Sequence, residues 1–192
     1  MPAGTYLHLG EGLAERFQCA PGPGGWRYTS RRDDGVRVDL VVDARWRQIR
    51  VELVTPGWWL RGGLTGPELA WVRAAGETAT EHGERAAGFV SDSPGFLVAI
   101  AHALELDEGV QTDVRLVQVS GASLSALTTL WRWRRAGTST YETETAPLPV
   151  QEYEVTDLAT GEVETIHVAG DVLLAGPGIE LTDLESPPNL RP

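Results

Sequence analysis

One stretch of this chain, residues 91–104, constrains the fold more than any other, because it carries the one convincing long helix signal. Ser93 can cap a helix whose first position is Pro94, since the fixed φ of proline suits that position and its missing N–H would be unpaired there anyway. The apolar residues from 96 to 104 spread around the helix rather than along one stripe, which is typical of a helix enclosed by protein. We therefore predict a helix over residues 94–104 with a sheet wrapped around it.

Most of the remaining sequence has the patterns of β-strands and tight turns. Val38, Leu40 and Val42 fall on one face of a strand that follows the turn at Asp34 and Gly35. Similar segments recur toward the end of the chain, and an open sheet of that size rarely stays flat. We predict a mainly β (α+β) protein in which a curled antiparallel sheet or half-barrel of about ten strands encloses one buried helix.

The length and the absence of a linker predict a single domain over residues 1–192. Within it we expect residues 1–25 to form an N-terminal extension and loop, and residues 184–192 to form a tail. The first eight residues lack the basic and apolar regions of a signal peptide, and no window has the ~20 apolar residues of a membrane span. We expect a cytoplasmic protein without a membrane span.

The charge composition excludes several function classes. The net charge is −11, and all 16 basic residues are arginine. Such a field repels phosphate backbones, so we expect no nucleic-acid partner. The absence of lysine excludes Schiff-base chemistry and the phosphate-binding lysine of P-loops.

No residue pattern in the chain specifies a reaction, a metal or a cofactor. The four histidines have no ligand spacing, and Cys19 is the one cysteine. The serines lack the glycine-flanked elbow of hydrolases. We predict no catalytic residue set, no metal site and no cofactor.

Tryptophan is unusually frequent, with 7 Trp against 3 Phe and 4 Tyr. Large rings can fill a wide core, or they can form the wall of a cavity. On a strand, Trp131 and Trp133 share one face and the neighbouring arginines take the other. We interpret this face as the inward one, opposite the helix. The predicted ligand-binding residues are Trp58, Trp71, His102, Trp131 and Trp133.

These residues lead to one preferred function and two alternatives. The preferred hypothesis is a non-enzymatic binding protein that holds an apolar or lipid-like molecule in a Trp-lined cavity. A small hydrolase that uses scattered carboxylates or His102 is the first alternative. A structural or interaction domain with a filled core is the second. The sequence indicates no oligomeric state.

A family resemblance rests on Asp92, Ser93 and Pro94 before the helix, on the strand at residues 114–119, and on the later Leu124 and Trp131-Arg132. In order and spacing this chain resembles, over roughly residues 26–183, a bacterial family named for glycolipid binding. The resemblance implies a curved antiparallel half-barrel packed on helices, similar to lipoprotein carriers, and a lipid-like ligand. Asp92 and Pro94 match the family pattern, whereas residues 96–101 replace its polar and basic remainder with apolar side chains.

Overall fold

A computed structural model describes residues 1–22, 24–143 and 146–190, which form fifteen strands and one helix. The first eight strands are β1 (Ala3–His8), β2 (Leu13–Gly22), β3 (Gly25–Arg32), β4 (Arg37–Asp43), β5 (Gln48–Val54), β6 (Trp59–Thr65), β7 (Glu68–Ala75) and β8 (Thr78–Glu84). They are followed by β9 (Phe89–Val90) and the helix α1 (Pro94–Leu104). The last strands are β10 (Gln111–Ser120), β11 (Ser125–Tyr141), β12 (Leu148–Asp157), β13 (Val163–Ala169), β14 (Val172–Gly176) and β15 (Ile179–Leu184).

All fifteen strands belong to one sheet in the order β8-β7-β6-β5-β4-β3-β2-β1-β15-β14-β13-β12-β11-β10-β9. Neighbours are antiparallel except β9, which runs parallel to β10. The pairing of β1 with β15 joins the first half of the chain to the second. Two hydrogen bonds across the sheet show that it curls. The side chain of Thr55, after β5, donates to the carbonyl of Ala122 at 2.7 Å, and Arg73 on β7 donates to the carbonyl of Ser123 at 2.8 Å. The turn after β10 therefore reaches strands near the opposite end of the sheet.

The mainly β class and the curled sheet around a helix are confirmed, but the prediction of about ten strands is wrong. Residues 1–25, predicted as an extension and loop, instead supply β1 and β2 at the middle of the sheet. The inward face of these two strands combines Tyr6 and Phe17 with the polar His8 and Glu15. The sequence therefore lacks the regular alternation of apolar and polar residues by which a strand is recognised. The predicted tail at 184–192 begins where β15 ends. Within it the backbone N–H of Asn189 donates a hydrogen bond to buried Asp171 at 2.7 Å.

Helix α1 forms where the sequence predicts it. Pro94 occupies its first turn, and Glu105 ends it in the left-handed region at φ 44°. Every residue from 94 to 101 is buried, and the helix packs against β4 from the first half of the sheet and β9 and β14 from the second. At Gly95 the helix approaches the ring of Tyr28 so closely that a Cβ atom would lie 2.5 Å from it. The helix is therefore fixed between the two halves of the curled sheet.

Candidate functional site

The segment that leads into α1 lies where three cavities adjoin. These cavities have volumes of about 240, 360 and 190 Å³, and Asp92 lines all three of them. Ser91 lines the first two as well. The entrance to the helix therefore lies between neighbouring cavities, one on the side of β11–β13 and another on the side of β2–β5.

The cavity of about 240 Å³, here called the Trp131 cavity, has an apolar floor. Its apolar lining consists of Val90, Leu97, Trp131, Val155, Ile166, Pro177 and Ile179, and its polar lining of Ser91, Asp92, Gln118, Asp157, Glu162 and Glu164. Leu97 belongs to the helix, and the strand residues belong to β12 and to strands on either side of it in the sheet. This lining combines an apolar interior with a rim of carboxylates.

Strand register explains why these residues meet. Trp131 on β11 lies directly opposite Asp157 on β12, and Val155 on β12 lies opposite Glu164 on β13. Directly opposed residues point to the same face of a sheet, which here is the inward face. The Nε1 atom of Trp131 is buried and has no hydrogen-bond partner among the described residues.

The cavity of about 360 Å³ has a mixed lining, which includes Val38, Leu53 and Leu124 as well as Glu15 and Ser93. At its edge the guanidinium of Arg32 donates two hydrogen bonds to Asp34, at 3.0 and 2.7 Å. The third nitrogen, Nη1 of Arg32, lies 3.9 Å from the Asp92 carboxylate. This cavity therefore differs from the Trp131 cavity in having an arginine in its lining.

A buried carboxylate anchors the helix entrance to the sheet. Glu15 is only 2% exposed. Its Oε1 atom accepts hydrogen bonds from Ser93 Oγ at 2.5 Å and from Tyr28 OH at 2.9 Å, and its Oε2 atom lies 2.8 Å from Nε2 of His8. The Ser93 hydroxyl is directed to Glu15 and makes no capping bond to the helix. The cluster of His8, Glu15, Tyr28 and Ser93 is here called the Glu15 network.

The pKa of Glu15 lies below its ordinary value. Burial alone would raise it, but hydrogen bonds from His8, Ser30 and Ser93 and the charge of His8 together outweigh burial and favour the ionised form. The adjacent N-terminus of α1 also favours an anion. Glu15 is therefore a carboxylate held ionised inside the protein.

The order of groups in this network differs from that of a catalytic triad. In a triad a histidine lies between the serine and the acid, so that it can take the serine proton. Here the carboxylate lies between Ser93 and His8. This arrangement surrounds one carboxylate with three hydrogen-bond donors and so fixes the helix entrance to the sheet.

His102 lies near the other end of the helix. Its ring stacks on Trp46, with centroids 4.1 Å apart, and its Nε2 atom lies 2.8 Å from the carbonyl oxygen of Gly170. Burial lowers the pKa of His102, although the hydrogen bond to Gly170 opposes that shift. It lines a separate cavity of about 350 Å³ together with Arg135 and Tyr153.

The five predicted ligand-binding residues do not line one cavity. Trp131 lines the Trp131 cavity, and His102 lines the cavity at the opposite end of the helix. Trp133 is fully buried against Tyr153, and Trp71 is packed against Phe89. Trp58 lies beneath the guanidinium of Arg73, 3.8 Å from its ring centroid. Among the cavities described here, Trp131 is therefore the predicted tryptophan that lines one, while Trp58, Trp71 and Trp133 pack against neighbouring side chains.

Several site residues were missed by the sequence analysis, namely His8, Glu15, Tyr28, Leu97, Asp157 and Glu164. A signal for two of them was present. His8 follows Tyr6 at a spacing of two, and Glu15 precedes Phe17 at the same spacing, which places the polar residue on the apolar face of each strand. A polar side chain at such a position needs a partner inside the protein.

Two further searches of the described residues gave no site. No helix there is long and apolar enough to cross a membrane. In the same residues no group of three or more histidine, cysteine, aspartate or glutamate side chains could hold a metal ion.

Comparison with known proteins identifies a shared fold. No protein-family model matches the chain, and no curated protein matches it. Among solved structures, it is similar to the crystal structure of a DUF1089 family protein from Pseudomonas aeruginosa, with a TM-score of 0.51 and 14% sequence identity over 86% of this chain and 84% of that chain. At that identity the likeness shows the fold alone.

Proposed function

We propose that this chain is a non-enzymatic binding protein for an amphipathic, lipid-like molecule whose apolar part occupies the Trp131 cavity. The observation that carries the proposal is that apolar and polar groups share the lining of this one cavity, where Leu97, Trp131 and Ile166 lie beside Asp92 and Asp157. Removing apolar ligand surface from water contributes ~25 cal/mol per Å², so an apolar floor beside polar groups favours a ligand with both characters. The groups that line this cavity thus match an amphipath, with carbon on its floor and polar groups near Asp92.

The size of the cavity limits the part of the ligand that it can hold. Its volume of about 240 Å³ lies just below the ~300–1,000 Å³ of typical small-molecule sites. A short alkyl segment or a single ring fits this volume, and the remainder of the ligand extends past Asp92 toward the neighbouring cavities. A glycolipid, which the family resemblance implies, is one amphipath with that shape.

The experiment is a titration with the neutral apolar probe N-phenyl-1-naphthylamine, followed by its fluorescence. We expect saturable binding with a stoichiometry near one. Val155→Phe should weaken the probe at least tenfold, because Val155 is buried in the cavity lining and a larger ring fills the space. Val163→Phe is the matched control, since Val163 is 59% exposed on the neighbouring strand.

A second variant keeps the test valid if Val155→Phe fails to fold. Gln118 is partly exposed and lines the same cavity, so Gln118→Trp should block it with less disturbance of the core. Melting temperature is measured for each variant beside probe affinity. Displacement of the probe by fatty alcohols, isoprenoids and glycolipids then ranks ligand classes. A wild-type protein that binds none of them saturably would contradict the proposal and leave the interaction domain as the better account.

A further inference from the structure

The charges around the Trp131 cavity all have one sign. Four carboxylates line it, those of Asp92, Asp157, Glu162 and Glu164, and among the described lining residues there is no arginine or histidine. Arg32 approaches Asp92 to 3.9 Å from the neighbouring cavity, so the negative charge of this rim comes mainly from the other three. We infer that the polar end of the ligand in this cavity carries a positive charge, as an aliphatic ammonium group does. This inference rests on the proposed function and specifies the ligand that the cavity takes.

Ion pairing elsewhere on the protein makes this rim unusual. On the outer face, Arg132 pairs with Asp113 and Arg134 pairs with Glu154. Among the described residues, no basic side chain lies within ion-pair distance of Asp157, Glu162 or Glu164. The arginines of β11 therefore pair with carboxylates on the outside of the sheet, while Asp157 on β12 and Glu164 on β13, which face the cavity, have no such partner among the described residues.

Carboxylates alone would be an ordinary solvated surface, but these adjoin an aromatic ring and an apolar enclosure. Asp157 lies directly across the strands from Trp131, and half-buried Glu164 lies across from buried Val155. An indole face next to a carboxylate attracts an alkylated ammonium by its quadrupole and by charge. The alkyl chain of the same molecule matches Leu97 and Ile166 on the cavity floor.

Part of the Asp157 carboxylate is held in place by the turn that follows it. Its Oδ1 atom accepts a hydrogen bond from the backbone N–H of Ala159 at 2.8 Å. This bond fixes the side chain at the end of β12, opposite the indole. A fatty acid in the same position would place its carboxylate beside like charges, which disfavours binding.

The test compares four ligands with one decyl chain and different ends: decyltrimethylammonium, decylamine, 1-decanol and decanoate. Binding is measured by isothermal titration calorimetry, below the micelle concentration of the charged ligands and below the solubility limit of 1-decanol. We expect at least one ammonium to bind tenfold or more tightly than 1-decanol, and decanoate to bind more weakly than 1-decanol. The preference for the ammonium should diminish in 0.5 M salt, because added ions screen exposed charges.

Variants assign the effect to the cavity. The double variant Asp157→Asn with Glu164→Gln should bring the ammonium to within threefold of 1-decanol and leave 1-decanol itself unchanged. Glu180→Gln is the matched control, because Glu180 is an exposed carboxylate on β15 that does not line the cavity. It should alter neither affinity.

The outcomes separate this inference from the proposed function. Equal binding of 1-decanol and both ammonium ligands, or an ammonium preference that survives the double variant, would overturn the inference and leave the binding function intact. Failure of all four ligands to bind would overturn both.

Discussion

Replacement of Glu15 tests the Glu15 network directly. In Glu15→Gln the side-chain shape remains, but the charge is removed and an amide NH₂ replaces one carboxylate oxygen. The remaining oxygen can still accept from Ser93 and Tyr28, while the amide must face Nε2 of His8. The variant therefore keeps two hydrogen bonds in a weaker form and changes the third.

The expected loss of stability follows from those three contacts. A hydrogen bond to a charged group contributes about 1.5–3 kcal/mol, against about 0.5–1.5 kcal/mol for a neutral one. Two bonds that lose their charge assistance therefore cost about 2 kcal/mol together. Glu15→Leu removes the charged acceptor from three buried donors and should cost about 4 kcal/mol or more, a large fraction of the ~5–15 kcal/mol that stabilises a typical domain.

The assay is urea unfolding followed by tryptophan fluorescence at pH 7 and at lower pH. Because the pKa of Glu15 is lowered in the folded protein, its ionisation stabilises the fold above the unfolded pKa of about 4.3, and that contribution is lost as pH falls through the folded value. The difference between wild type and Glu15→Gln should therefore shrink in acid. A Glu15→Gln variant as stable as wild type at pH 7, or a difference that grows in acid, would refute the reasoning.

Three other substitutions test the packing of the fold. Gly95→Ala should destabilise the protein by about 1–3 kcal/mol in urea unfolding, since the added methyl group meets the ring of Tyr28; unchanged stability would show that the contact relaxes freely. Trp133→Ala should cost about 3–5 kcal/mol, because the fully buried ring leaves a cavity, whereas a small cost would mean that the site collapses. Arg132→Ala breaks only the exposed pair with Asp113 and should leave the thermal midpoint within error of wild type; a clear drop would give that pair a structural role.

The helix was predictable because its signals are local. Ser93 and Pro94 define its start, and its apolar residues show that protein surrounds it. The middle of the sheet was not predictable in the same way. The strands β1 and β2 turn His8 and Glu15 inward, and only the distant Tyr28 and Ser93 make those polar groups favourable there.

The Trp131 cavity illustrates the same limit. Inward placement of Trp131 and Trp133 follows from a period of two, yet one ring lines a cavity and the other is fully enclosed. That difference depends on Leu97 from the helix, on β12 and β13, and on the chain around residues 177–179, all of which are remote in sequence. Local periodicity determines the face of a side chain but carries no information about what covers it.

The most direct test of the proposed function is a crystal structure of the protein grown with saturating N-phenyl-1-naphthylamine. The account predicts density for the probe against Trp131 and Leu97, with the rest of the molecule directed toward Asp92. Density for the probe only at other places on the protein, with water filling the Trp131 cavity, would contradict the account.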